Sequence, residues 1–108
     1  KSIKVGHGKV GCNAFIINNI CGYLSDVNVI YEKDYKYFKN LKYFIIDCLR
    51  FKKHPSHFNL DEVLELVKIF KPEKTILTNL HVDFDYNDLK KILPKNILPA
   101  YDGMNFNL

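Results

Sequence analysis

The residues of this chain best suited to chemistry are its four histidines and the carboxylates that close its apolar segments. His7 sits in Val5-Gly6-His7-Gly8, directly after a strand-like stretch, and flanking glycines let a backbone approach a neighbour closely. Asp26 ends Gly22-Tyr23-Leu24-Ser25-Asp26, and His81 follows the apolar run 75–78. Two imidazoles and a carboxylate delivered by three strand ends form the inventory of a hydrolytic zinc or manganese site. Spacing alone does not separate that reading from the polar strand ends that any small α/β chain carries. His54-Pro55-Ser56-His57 has the look of a metal pair, but Pro55 breaks any helix that would align the two rings. The segment is expected to be a loop, with one histidine reaching a site as a proton donor and the other facing solvent.

Cys12, Cys21 and Cys48 are odd in number, lack C-x-x-C spacing and stand in apolar contexts. They read as reduced, buried small hydrophobes of a cytoplasmic protein rather than a disulfide framework or a zinc knuckle.

The elements that must position these groups fall into two halves. Short strands are expected at 3–5, 13–18 and 22–25, with Asn18-Asn19 as a hairpin turn because asparagine tolerates positive φ. Beyond residue 34 the period changes. A short helix is expected at 35–40, then a buried strand at 43–46 ending at Asp47. Asn59 with Glu62 three residues later forms a capping-box pattern, and Leu60, Val63, Leu64, Val67 and Phe70 follow at helical spacing up to Lys71-Pro72. A strand at 75–78, a helix capped by Asp85 with Leu89, Ile92 and Leu93 on its apolar side, and a final strand or two within 97–106 complete the pattern. Residues 43–108 are thus β-α-β-α-β, the alternation of a layered α/β unit, which places functional side chains at strand C-terminal ends.

Composition narrows the function classes. At 108 residues the chain is at most one domain, and 47% hydrophobic against 26% charged residues argues against wholesale disorder. No apolar run approaches the roughly 20 residues needed to cross a bilayer, and no signal-peptide pattern opens the chain. The net charge of +4 would suit a nucleic-acid binder, yet fifteen lysines are scattered among acidic residues and Arg50 is the lone arginine. Planar bidentate readers of phosphate and bases are nearly absent.

The ordered blocks V-x-H-G, G-Y-L-S-D-V-N, I-I-D-C-L-R-x-K-x-H-P-S-H-F-N-L-D-E, I-L-T-N-L-H-V-D-F-D-Y and P-A-Y-D-G-M run through the whole chain. Together they resemble the C-terminal half of a metallo-β-lactamase-fold hydrolase. The resemblance is greatest to the branch of the phosphonate-operon cyclic phosphodiesterase and the tRNA 3′-processing endonuclease. It implies an α/β fold, one half of an αββα sandwich, with 1–108 a single partial domain. It implies His7 as a ligand of the first of two divalent metals (zinc or manganese), Asp26 as the bridging ligand, His81 as a ligand of the second metal, and His57 as the donor of a proton to the leaving group. Asn79 stands where many relatives have the first histidine of a T-H-x-x-H run. Asp47 and Asp102 resemble turn residues or carboxylates that steady a metal ligand.

One departure shapes the functional expectation. The family signature H-x-H-x-D-H belongs to the N-terminal half, and no H-x-H occurs in this chain. Each metal would keep two protein ligands, whereas a catalytic zinc normally has three. The chain, which begins at Lys1, is therefore expected to be a piece of a metal-dependent phosphodiesterase, inactive alone. It would act on a phosphodiester once joined by an N-terminal half chain or a second copy, without a membrane. The alternatives are a degenerate remnant of a split gene and a small basic binding module. Asp47, Asp83 and Asp102 are the carboxylates left as substitute ligands should the isolated chain prove active.

Overall fold

Tight turns built on residues that accept a left-handed backbone set the direction of the first three strands. In the computed structural model, which describes residues 1–82 and 84–108, β1 (Ser2–His7) turns through Gly8 (φ 63°) into β2 (Val10–Ile17). Asn18 and Asn19 (φ 54° and 57°) then turn the chain into β3 (Cys21–Leu24), the mirror-type hairpin turn that suits twisted strands. Asp83 lies outside the described residues.

Parallel strands follow. β4 (Tyr43–Asp47), α1 (Leu60–Phe70), β5 (Lys74–Thr78), α2 (Tyr86–Ile92) and β6 (Ile97–Pro99) reproduce the expected alternation. All six strands form one sheet in the order β1-β2-β3-β4-β5-β6, the first two pairings antiparallel and the last three parallel. This mixed sheet with helices is an α/β architecture, as the sequence pattern implies.

The caps explain the helix limits. The Asn59 side chain accepts from the Glu62 amide while the Glu62 carboxylate accepts from the Asn59 amide, so two otherwise orphaned donors are satisfied. Lys71 closes α1 in a left-handed conformation, its N–H donating to Val67. Asp85 caps α2 through the Asp88 amide. The buried line on α1 is Leu60, Val63, Leu66 and Phe70, while Leu64 and Val67 are only partly buried against it. Phe70 meets Phe44 of β4 and Phe38 at ring separations of 5.6 and 5.7 Å.

Two expectations shift. The helix placed at 35–40 is a short 3-10 helix over Glu32–Tyr37, with two acidic residues in its first turn favouring the earlier start. The last strand stops at Pro99, the Ala100 amide making the final ladder bond to the Leu77 carbonyl at 2.8 Å, and a turn closed by Met104 N–H to the Tyr101 carbonyl follows.

The second face of the sheet carries an apolar row. Phe15, Tyr23, Ile45, Ile76 and Leu98 lie one per strand in direct register, and Phe15 and Tyr23 remain 45% and 40% exposed. Phe106 of the tail lies against Tyr43, ring centroids 4.5 Å apart. No described helix is long and apolar enough to cross a membrane.

Candidate metal centre

Strand direction gathers the polar residues. β3, β4 and β5 are parallel, and β1, two antiparallel steps from β3, runs the same way. Their C-terminal ends, which carry His7, Asp26, Asp47 and Asn79, therefore share one edge of the sheet. The loop between β4 and α1 returns His54 and His57 to that edge.

That loop is held by specific contacts. The Phe58 amide donates to the Val27 carbonyl, and the Asn28 side chain spans from the Gly8 amide to the Pro55 carbonyl at 2.9 and 3.0 Å. Gly8 is needed here twice over, because its φ is positive and a Cβ would stand 3.0 Å from Ser56 Cβ. The loop thereby rests directly on the turn after His7.

The structure brings His7, Asp26 and His57 together, one nitrogen or oxygen of each lying within 4.8 Å of the others. All three are half-buried. His7 Nδ1 lies 2.6 Å from the Ser56 carbonyl, which can only accept, so Nδ1 carries the proton and Nε2 keeps its lone pair. His57 Nδ1 lies 2.5 Å from Asp47 Oδ2, an oxygen that also accepts from the Val27 amide at 3.1 Å. The two rings meet edge to face with centroids 4.8 Å apart. Asp47 is fully buried, and burial pushes its carboxyl above the usual carboxylate range, against the opposing pull of the Val27 amide and the His57 ring.

His54 is not turned out to solvent as the sequence suggested. It is half-buried, its Nδ1 accepts from the Ser56 amide at 3.1 Å, and its ring stands 5.2 Å from that of His57. Slight burial and the charges of Arg50, His57 and His7 lower its pKa.

His81 is outside the group of three. Asn79 adopts a left-handed backbone (φ 59°) and its side-chain amide donates to the Ser25 carbonyl beside Asp26. His81 falls on the exposed turn beyond, where its amide donates to the Leu49 carbonyl at 2.8 Å. Asp102 is exposed in the turn after β6. Sequence reasoning left the role of Asp47 open. The signal available was its place at the end of a buried strand, ten residues before His57.

The strand order and the polar residues gathered at one sheet edge match part of a metallo-β-lactamase fold. No protein-family model and no curated protein matches the sequence. Solved structures do. A diphosphatase from the PhnP family superposes with a TM-score of 0.91 at 26% identity, over 95% of this chain and 40% of its own. The metallo-β-lactamase-fold protein YhfI from Bacillus subtilis gives 0.70 at 17% over 96% and 47%, and the short form of human tRNase Z 0.70 at 12% over 95% and 40%. The latter two show the fold alone. The PhnP-family diphosphatase and the tRNase Z carry the names of the branch that the sequence blocks resemble. The chain spans about 40–47% of their lengths.

The donor set suits a divalent metal of the kind this fold implies. Two imidazole nitrogens with Nδ1 already tied, and one carboxylate, are ligands that zinc and manganese accept.

Proposed function

We propose that this chain is the C-terminal part of a metal-dependent phosphodiester hydrolase, completed by a segment that carries the H-x-H-x-D-H ligands. The observation that supports it most is the convergence of His7, Asp26 and His57 from three separate segments onto one sheet edge. The partial coverage of its structural neighbours and the apolar row left on the sheet's second face agree with a missing second layer.

Two divalent ions at the completed site would supply Lewis acidity toward a phosphoryl oxygen and an acidified water. His7 and Asp26 are assigned to hold them, Asp26 from a position that both could share. His81 is assigned as the further ligand of the completed two-metal site. His57 has the task of a proton donor. Asp47 accepts from its Nδ1 and fixes the ring, which leaves Nε2 to carry the proton for the leaving oxygen. The substrate class is a phosphodiester, such as a cyclic phosphate or a nucleotide-like ester.

Reconstitution tests this. The purified chain with added zinc or manganese should hydrolyse bis-p-nitrophenyl phosphate negligibly. Mixing or co-expressing it with an N-terminal half from a relative bearing H-x-H-x-D-H should produce metal-dependent turnover. In that protein Asp26→Ala should abolish turnover, and His57→Ala should lower the rate while leaving metal content nearly intact. Robust activity of the isolated chain would overturn the proposal.

A further inference from the structure

We infer that the sheet edge opposite the candidate metal centre binds single-stranded nucleic acid through its phosphates, without sequence preference, along a track of exposed lysines. This goes beyond the hydrolase reading and does not depend on it.

The fold collects what the sequence scatters. β3, β4, β5 and β6 are parallel, so the residues that lead into them share the edge away from His7, Asp26 and His57. Lys42 leads into β4, Lys74 opens β5 and Lys95 stands just before β6. The Lys74 amide donates to the Lys42 carbonyl at 3.0 Å, which makes these lysines neighbours across the strands. Lys71 closes α1 at the same edge, Lys36 and Lys39 come from the 3-10 helix and the turn after it, and Lys1 leads into β1. All of these lysines are exposed, and among the described residues none of them pairs with a carboxylate. Glu32, Asp34 and Glu73 are the acidic groups on these segments, which leaves the edge positive on balance.

Three observations point to the partner. The first is a cavity. Lys1, Lys36 and Lys39 stand with Asn19 and Tyr37 around one open hollow of about 220 Å³, ample for a phosphate group. The hydrogen bond from Lys1 and the charges of Lys1 and Lys36 hold the Tyr37 hydroxyl below its ordinary value, against the opposing effect of Asp34. The second is the alternation of cations and rings. The Lys1 and Lys36 ammonium groups lie 4.0 and 5.2 Å from the Tyr37 centroid, and that of Lys42 lies 5.5 Å from the Tyr43 centroid. Single-strand binding surfaces are built from these parts, because phosphates meet the cations and bases stack on the rings. The third is shape. Neighbouring strands stand about 4.8 Å apart, so lysines at successive strand starts form a line. A line suits a flexible chain of phosphates, whereas an anionic membrane presents a plane. Lysine carries a point charge without a fixed fork, so the contact reads the backbone and not the bases.

The test is fluorescence anisotropy of a short labelled oligothymidylate titrated with the 108-residue chain in EDTA. The chelator keeps metal from the opposite edge, so this outcome and that of the reconstitution experiment are independent. The logarithm of the binding constant should fall against that of salt with a slope of about −3, as for four or five phosphates. That slope is a roughly 60-fold loss between about 50 and 200 mM salt. An oligoadenylate of equal length should bind within about threefold of the oligothymidylate. Lys36→Gln, Lys39→Gln and Lys42→Gln together should weaken binding at about 50 mM salt by tenfold or more and bring the slope to about −1. Lys52→Gln with Lys53→Gln, in the loop at the opposite edge, should change affinity less than about twofold. The salt slope of the parent chain stands even where a variant fails to fold. No binding at about 50 mM salt, binding insensitive to salt, or equal losses in the two variants would overturn the inference. Capture by phosphatidylserine vesicles without any oligonucleotide binding would overturn it as well.

Discussion

Asp47 is the residue on which the site's electrostatics turn. Because burial raises its carboxyl above the ordinary value near 3.8, the folded protein keeps this proton after the unfolded chain has released it. Its contribution to stability is complete below about pH 4 and declines as pH rises through the folded value. Unfolding titrations of the parent and of Asp47→Asn should therefore show a fall in relative parent stability over that window. A difference independent of pH would show that the carboxyl titrates normally. The cysteines offer a simpler check. Burial and the neighbouring Asp47 charge push Cys48 up to about 12, and burial raises Cys21, whereas Cys12 is only half-buried. Alkylation followed by mass spectrometry at neutral pH should label Cys12 well before the other two, because the thiolate is the reactive form.

The loop before α1 shows how one cap can serve both a helix and a site. Asn59 closes the segment that carries His54 and His57, and its side chain satisfies the first turn of α1. Asn59→Ala should cost about 1 kcal/mol in denaturant unfolding. It should also broaden the NMR signals of the His57 ring, while a mutation at the far end of α1 should not. The helix limits were legible in the sequence because caps are local chemistry: Asn59, Glu62, Lys71 and Asp85 act on backbone groups within a few residues. Strands 43–47 and 74–78 were legible as apolar runs. The 3-10 helix at 32–37 was misplaced because short helices carry too few residues for a periodic signal. Within the site, His7, Asp26 and His57 could be named from their blocks and strand-end positions. The Asp47–His57 pair and the Asn79 contact to Ser25 could not, since each joins segments only through the fold.

At the scale of the whole molecule, the sheet has one face in the core and a second with Phe15 and Tyr23 half exposed in register. Contiguous apolar surface of this kind marks a contact waiting for a partner. The isolated chain should bind an apolar dye such as ANS, and Phe15→Ser with Tyr23→Ser should lower that fluorescence. Addition of the N-terminal half should lower it as well. Unchanged fluorescence in both cases would remove this face from consideration.

The borders of the sheet point the same way. At one border, Gly6 of β1 is already bonded to the 28–29 segment, its amide donating to Val29 and its carbonyl accepting from Asn28. At the other, β6 ends on Pro99, which has no hydrogen to offer a neighbouring strand. Both flanks next to the site are thus closed to the sideways growth by which strands recruit further strands into fibrils. Copies that meet in solution are steered to stack broadside, so self-association of this chain should be a reversible, saturable pairing rather than an open-ended polymer.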